Sequence, residues 1–145
     1  SFRSGDSVNA LRWEQRVREF DMVEYVRGLL ALRRAHPAFR LRSADEIRRM
    51  LRFLDSPPEC VAYALDGVAA RDTWSQIVVA HNVATHDVRL SLPARATWGV
   101  VVDQWRAGFT VPMREPEPCV GVHHLRVGLC VFVASHRYRA MQSLL

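Results

Sequence analysis

The sequence of 145 residues has no lysine, only three cysteines and no long apolar run. A membrane-spanning helix needs roughly 18 or more apolar residues in succession, so the sequence predicts no membrane partner. Cys60, Cys119 and Cys130 include no C-x-x-C pair, and their odd number gives no disulfide framework and no zinc signature. Cys60 and Cys130 lie in apolar stretches, where buried free thiols are expected. The N-terminal residues show no secretory signal pattern, which leaves the cellular location open.

All 20 basic residues are arginine, and the net charge is +5. A basic surface can bind nucleic acid, because arginines neutralise phosphates. The pairs Arg33-Arg34 and Arg48-Arg49, however, lie in predicted helices among acidic residues. No stripe combines basic and aromatic residues in the way of modules that stack bases. The sequence therefore favours dispersed arginines and no nucleic-acid partner, and an arginine-rich nucleic-acid module is the weakest of three hypotheses.

The six histidines are scattered along the chain. His123 and His124 are adjacent, and His81 and His86 are close in sequence, but no Cys, Asp or Glu cluster accompanies either pair. Structural zinc sites combine four such ligands at short spacings. The sequence therefore predicts neither a metal site nor any other cofactor.

The first third of the chain has apolar residues at helical spacing, and we expect one helix over residues 20–36. Asp21 and Glu24 have the spacing of a capping box at its start. His36 precedes Pro37, which disfavours helical geometry at His36 and ends the helix. The expected stripe consists of Met22, Val26, Leu29, Leu30 and Arg33.

Beyond this helix the pattern becomes that of strands. Ser43 and Glu46 form a second capping box, which predicts a short helix through about Met50. The apolar period then changes to two, as in strands, and Val61, Tyr63 and Leu65 alternate with smaller or polar residues. Strands are predicted in LRFLD, ECVAYALDG, SQIVVAHN, HDVRLSLP, TWGVVVD and LRVGLCVFVAS, packing is expected for Trp74, Trp98 and Trp105, and HRYRAMQSLL is expected to be a loosely attached tail. Short strands with frequent turn signals favour an antiparallel β-sandwich.

The chain opens with SFRSGDSVNALRW, which has neither a helical period nor a strand alternation. The segment carries closely spaced polar side chains, including Asp6 and Asn9, between Phe2 and Trp13. The helix that follows must bury its apolar stripe against another surface. We therefore expect this loop to be the end of a structure whose earlier part is missing from the chain.

SFRSGDSVNALRW, GLLALRRAHPAFR and SADEIRRMLRFLD together resemble the C-terminal portion of type I pullulanases, which are starch-debranching enzymes of glycoside hydrolase family thirteen. VAYALDG, DTWSQIVVAHN and VRLSLP extend the resemblance into the family's C-terminal β-sandwich, up to about Ser135. Two departures are visible. Arg12-Trp13 stands where the family commonly has Asp-Trp, and an arginine cannot accept a hydrogen bond. HHLRVGLCVFVAS departs from the proline-containing approach and serine that the family pattern leads us to expect at the last strand.

The resemblance implies a mostly β fold, with an antiparallel β-sandwich preceded by the last loop and helix of a truncated (β/α)8 barrel. Residues 1–41 would be the remnant of the catalytic barrel, and residues 42–145 the C-terminal sandwich with a short lead-in helix and a tail. Residues 1–19 would be most of the loop after the eighth strand and one wall of a sugar-binding cleft. Residues 20–36 would be the eighth helix.

The resemblance also implies that Asp6 and Asn9 bind substrate, contacting glucose units on the non-reducing side of the scissile bond. A carboxylate accepts hydrogen bonds from two hydroxyls, and an amide both donates and accepts. The alternative is that both side chains only fold the loop through bonds to the backbone, as Asx residues do beside glycine. The family's catalytic carboxylates lie on earlier barrel strands, so no catalytic residue is expected in this chain.

Two principal hypotheses of function follow. The leading one is a C-terminal fragment of an α-1,6-glucan debranching hydrolase, which supplies a cleft loop and a stabilising sandwich and is inactive alone. Its partner would be an α-glucan, such as pullulan or a branched dextrin, in the full enzyme. The alternative is a stand-alone β-sandwich that binds α-glucan without cleaving it. An exposed helix face with Val26, Leu29 and Leu30 is expected to favour self-association.

Overall fold

The computed structural model describes residues 3–93, 98–107, 122–126 and 128–134. Helices come first: α1 (Asp6–Asn9), α2 (Gln15–Arg18), α3 (Phe20–Ala35), a 3-10 helix (Pro37–Arg40) and α4 (Ala44–Met50). The strands follow: β1 (Leu51–Phe53), β2 (Cys60–Asp66), β3 (Gln76–Asn82), β4 (Val88–Ser91), β5 (Trp98–Val102), β6 (Val122–Leu125) and β7 (Gly128–Ala134). No helix in this described part is long and apolar enough to cross a membrane.

The helix expected over residues 20–36 is confirmed as α3, which ends one residue earlier. His36 has φ −112° and ψ 107°, an extended conformation. The clash between the Pro37 ring and the preceding residue disfavours helical geometry there, so the sequence alone determines where this helix ends.

One of the two expected capping boxes is present. Ser43 Oγ accepts a hydrogen bond from the Glu46 backbone N–H, and the Glu46 carboxylate accepts one from the Ser43 backbone. The box expected at Asp21 and Glu24 is wrong. Because α3 begins one residue before Asp21, that side chain lies inside the first turn, and Glu24 pairs with Arg27 instead.

The strands form two antiparallel sheets, so the expected mostly β, antiparallel fold is confirmed. The larger sheet has five strands in the order β1-β2-β3-β7-β5, and β4 pairs with β6 in a smaller sheet. Residues 77–80 of the central strand β3 are buried throughout, which explains the continuous apolar run there. β4 alternates as expected, with Val88 and Leu90 buried and Arg89 and Ser91 exposed.

A first apolar core lies between the two sheets. Val88, Leu90 and Leu125 of the smaller sheet pack against Phe132 and Trp98 of the larger one. The face of β2 toward this core carries small side chains, and its other face carries larger ones. The inward residues are Cys60, Ala62 and Ala64, whereas Tyr63 and Leu65 lie on the opposite face and Val61 is exposed.

A second apolar core lies between the other face of the larger sheet and the helices. α3 buries Gly28 and Leu32 there, with Tyr25 and Leu29 partly buried beside them. Of the helix face expected to be exposed, Val26 and Leu30 are exposed, as predicted, whereas Leu29 is partly buried against this second core. Met22, Val26 and Leu30 remain exposed on another side of α3 and are called the outer stripe below. Apolar residues occupy two sides of α3, and packing on the sheet selects one of them.

Gly28 is what allows α3 to approach the β-layer so closely. A Cβ atom built at Gly28 would lie 1.8 Å from the Ala107 carbonyl oxygen. The same loop is held by the Tyr25 hydroxyl, which donates to the Asp103 carbonyl oxygen at 2.9 Å. The helix therefore contacts the sheet layer through its glycine side, because only a residue without a side chain fits.

The three tryptophans expected to pack do not behave alike. Trp74 and Trp98 are buried, as expected, but Trp105 is 79% exposed. Trp105 lies in a tight turn in which Asp103 Oδ1 accepts hydrogen bonds from the backbone N–H of Trp105 and Arg106, and this turn directs the indole outward. Cys119 and the tail expected over residues 136–145 lie outside the described residues, as do the side chains of His123 and His124.

Candidate functional site

Asp6 and Asn9 lie together on a single exposed helical turn. Gly5 is extended at the start of α1, and its carbonyl oxygen accepts hydrogen bonds from the backbone N–H of Val8 at 3.0 Å and of Asn9 at 3.3 Å. Residues three apart on a helix share one side, so the Asp6 and Asn9 side chains project from the same side of α1. The turn thus brings together the two residues expected to bind substrate.

The two side chains differ in their local bonds. The Asn9 amide nitrogen donates to the Ser4 carbonyl oxygen at 2.7 Å, which closes the turn. The Asp6 carboxylate is exposed and forms no hydrogen bond within the described residues. Asn9 therefore has the loop-folding contact that was the alternative to sugar binding, while both oxygens of Asp6 are open to hydroxyl donors.

Exposed apolar side chains surround this turn. Val8, Leu11, Trp13, Val17 and Phe20 are all more than half exposed, and α1 and α2 bury no residue. Trp13 is 73% exposed. A single domain rarely leaves so many large apolar side chains uncovered along one segment.

A buried polar cluster joins the helical segment to the sheets. This cluster was not predicted from the sequence. His36 Nδ1 lies 2.7 Å from Asp72 Oδ1, and both side chains are almost completely buried. The His36 ring stacks on Trp74 with centroids 3.4 Å apart and planes inclined by 9°. The other Asp72 oxygen accepts a hydrogen bond from the Ala38 backbone N–H at 3.2 Å. One carboxylate therefore contacts the end of the helical segment at two points, His36 and Ala38.

The turn between β2 and β3 presents Asp72 to the helical segment. Arg71 has a positive φ of 57°, and the Asp72 backbone N–H donates to the Gly67 carbonyl oxygen at 2.8 Å. A Cβ atom at Gly67 would lie 1.9 Å from the Trp74 carbonyl oxygen. Asp66 and Asp72 flank this turn, and that was the only local signal in the sequence for the cluster. The contact itself could not be predicted, because His36 lies 36 positions before Asp72.

A cavity of about 390 Å³ opens between the helices and the larger sheet. Its lining is mostly apolar, with polar groups from Arg33, Tyr63 and His81. Partial burial raises the pKa of the Tyr63 hydroxyl, so this group is a neutral hydrogen-bond donor at neutral pH. Burial likewise raises the pKa of the Cys60 thiol on the opposite face of β2, as expected for an inert buried thiol.

Comparison with known proteins assigns the fold to a family. The pullulanase all-beta domain family matches residues 47–106, a range that begins within α4 and includes the strands β1 to β5. The pullulanase of Bacillus subtilis (strain 168) is 37% identical over 123 residues, or 85% of this chain. The chain matches a segment of a pullulanase. The expected resemblance to type I pullulanases is thereby confirmed.

Solved pullulanase structures share the three-dimensional arrangement. The pullulanase from Bacillus acidopullulyticus superposes with a TM-score of 0.79 at 31% identity, over 89% of this chain and 15% of that chain. The type I pullulanase from Bacillus subtilis complexed with maltose gives a TM-score of 0.79 at 32% identity, over 91% of this chain and 18% of that chain. The chain spans about one sixth of the length of the curated pullulanase it matches, at 17%.

Proposed function

We propose that this chain acts as the C-terminal part of an α-1,6-glucan debranching glycoside hydrolase. In this proposal residues 1–41 complete a catalytic barrel and residues 42–145 form the C-terminal sandwich. The observation that carries it is the match of 85% of this chain to 17% of a pullulanase, together with the same fold. The outer stripe supports the assignment of α3 to a barrel, because a barrel helix is covered on more than one side.

The proposed contribution to substrate binding is the turn that carries Asp6 and Asn9. The open carboxylate of Asp6 suits two adjacent sugar hydroxyls, since ionised acceptors form the stronger hydrogen bonds. Asn9 holds the turn through its bond to Ser4 and lies beside Asp6 on the same side of α1. Loops at the carboxyl ends of barrel strands form the active site in such barrels, so this position suits a cleft wall.

The proposal includes no hydrolysis by the isolated chain. Retaining glycosidases use a nucleophile and an acid about 5–5.5 Å apart on either side of the bond. In the family that this chain resembles, those groups lie on earlier barrel strands. The role of this chain is then to complete and stabilise the enzyme that contains them.

The test is a chimera in which this chain replaces the matching segment of the Bacillus subtilis pullulanase. We expect the chimera to release reducing sugar from pullulan, and the 145-residue chain alone to release none at high concentration. An inactive chimera that is folded by circular dichroism would contradict the proposal. Reducing-sugar release that scales with the isolated chain, and persists after contaminating hydrolases are removed, would also contradict it.

A further inference from the structure

Three rings form a row across the outer face of the larger sheet, at the end that the helices leave uncovered. Phe53 of β1 pairs directly with Tyr63 of β2, and His81 lies on the next strand, β3. The ring centroids of Phe53 and Tyr63 are 6.3 Å apart, and those of Tyr63 and His81 are 6.4 Å apart. We call these three side chains the aromatic row.

The three rings of the aromatic row differ in their inclination and in their exposure. The rings of Tyr63 and His81 are inclined by only 28°, whereas Phe53 is inclined by 71° to Tyr63 and flanks it. Phe53 is 70% exposed and His81 is exposed, while Tyr63 is half-buried and therefore held in place. Neighbouring positions on the same face, such as Leu65 and Val79, are buried under the helices. The exposure of the row is thus a local feature of this sheet end.

The cavity of about 390 Å³ adjoins the row, since Tyr63 and His81 line both. Arg33 lies at the same cavity and donates one guanidinium hydrogen bond to the Phe39 carbonyl oxygen at 2.5 Å, which orients the group. Among the residues that the structure describes, the lining contains no aspartate or glutamate, and it begins at Leu29. The Asp6–Asn9 turn is therefore not part of this cavity.

The chemistry of the surface matches a sugar chain. Sugar rings have apolar faces that stack on aromatic rings and hydroxyl edges that need hydrogen-bonding partners. Here two nearly parallel rings provide the stacking surface, and the Tyr63 hydroxyl, the His81 imidazole and the Arg33 guanidinium provide polar groups beside it. A pocket with an apolar lining and a few convergent polar groups is the usual form of a small-ligand site.

We propose that the aromatic row and the adjoining cavity bind a segment of α-glucan, as a second site separate from the Asp6–Asn9 turn. The identity of the ligand rests on the proposed function, which supplies α-linked glucose as the substrate class. Such a site holds a polymeric substrate to the enzyme while another part of the same polymer occupies the cleft.

The test uses the 145-residue chain, titrated with maltotetraose and, in parallel, with the β-linked cellotetraose. Binding is followed by calorimetry and by amide chemical shifts. We expect saturable binding of maltotetraose that is insensitive to salt, because the sugar is neutral, and no comparable binding of cellotetraose. His81→Ala and Phe53→Ala should each weaken maltotetraose binding roughly 3- to 10-fold, the scale of one stacking contact. Both residues are exposed, so the variants are expected to fold.

Trp105→Ala is the matched control, because Trp105 is an exposed aromatic residue that does not line the cavity. It should bind maltotetraose as the wild type does. Absence of saturable binding, equal binding of cellotetraose, equal loss in Trp105→Ala, or binding that falls steeply with salt and thus reports an anion at Arg33, would each overturn the proposal. A chimera that hydrolyses pullulan while the chain fails to bind maltotetraose would overturn this second site alone and leave the proposed function standing.

Discussion

His36 Nδ1 and Asp72 Oδ1 lie 2.7 Å apart and join the end of α3 to the turn that follows β2. The His36 ring also stacks on Trp74, whose backbone N–H donates to the same Asp72 oxygen at 3.1 Å. Among the described residues, His36 and Asn82 are the polar residues buried as a whole, and the Asp72 side chain is buried with His36. The helical segment is therefore attached to the sandwich by a specific polar contact as well as by apolar packing.

Replacing His36 by alanine should destabilise the chain strongly. The change leaves the buried Asp72 carboxylate without its ring partner, removes the stack on Trp74 and opens a cavity. Breaking a buried pair from one side costs about 3 kcal/mol or more, so we expect a loss of about 3 kcal/mol in the free energy of unfolding, measured by urea denaturation. The control, His86→Ala, changes an exposed ring and should shift the free energy by less than about 0.5 kcal/mol. Equal effects of the two variants would contradict this prediction.

Gly28→Ala should be destabilising although alanine is the better helix former. Helix propensity alone predicts that Gly28→Ala raises the free energy of unfolding by about 1 kcal/mol. The new methyl group would instead meet the Ala107 carbonyl oxygen, so α3 must move away from the sheet layer, at a cost of about 1–3 kcal/mol.

Guanidinium denaturation of Gly28→Ala and of Ala31→Gly checks this explanation. Ala31 is exposed on the same helix, so Ala31→Gly should lower the free energy of unfolding by up to about 1 kcal/mol through helix propensity alone. If Gly28→Ala proves more stable than the wild type, the close approach of α3 to the Ala107 loop is not a constraint on the fold.

Asp6→Ala in the active chimera should lower kcat/KM on pullulan roughly 10- to 100-fold, the effect of losing a hydrogen bond to a charged group. Asp6→Asn should lose less, because one acceptor oxygen remains. Asp87→Ala, which removes an exposed acid elsewhere in the chain, should leave kcat/KM unchanged. Unchanged efficiency in Asp6→Ala would remove Asp6 from the proposed cleft.

The outer stripe should make the isolated chain associate with itself. Met22, Val26 and Leu30 are 63%, 44% and 56% exposed and lie four residues apart on α3. Sedimentation velocity should show a weight-average mass that rises with concentration, and Leu30→Glu should reduce this rise. Val68→Glu, at an exposed position in the turn after β2, should not. A wild-type chain that stays monomeric at all concentrations would contradict the prediction.

Local signals in the sequence were sufficient for many elements. Pro37 marks the end of α3, and the capping box at Ser43 marks the start of α4. The alternation of Val88 and Leu90 with polar residues identifies the buried face of β4. Each of these signals acts over four residues or fewer, through backbone sterics, a side-chain cap or the period of a strand. The helical turn that brings Asp6 and Asn9 together was not predicted, because SFRSGDSVNALRW has no helical period.

Tertiary structure decided everything that depends on a distant partner. The buried side of α3 is the Gly28 side because Ala107 approaches there, about eighty residues away in sequence. The sequence predicted that the helix ends at His36. The contact of His36 with Asp72 could not be predicted, because it forms only when β2 and β3 are paired and their turn is in place. Trp105 was expected to pack at a strand edge, but the turn at Asp103 exposes it. The aromatic row forms because β1, β2 and β3 are neighbours in the sheet. The sequence by itself determined α3, α4, most strands and the resemblance to pullulanases, since all of these depend on local residue order. Only the folded chain determined which surfaces are covered and which remain available to bind, because burial depends on side chains that meet across the fold.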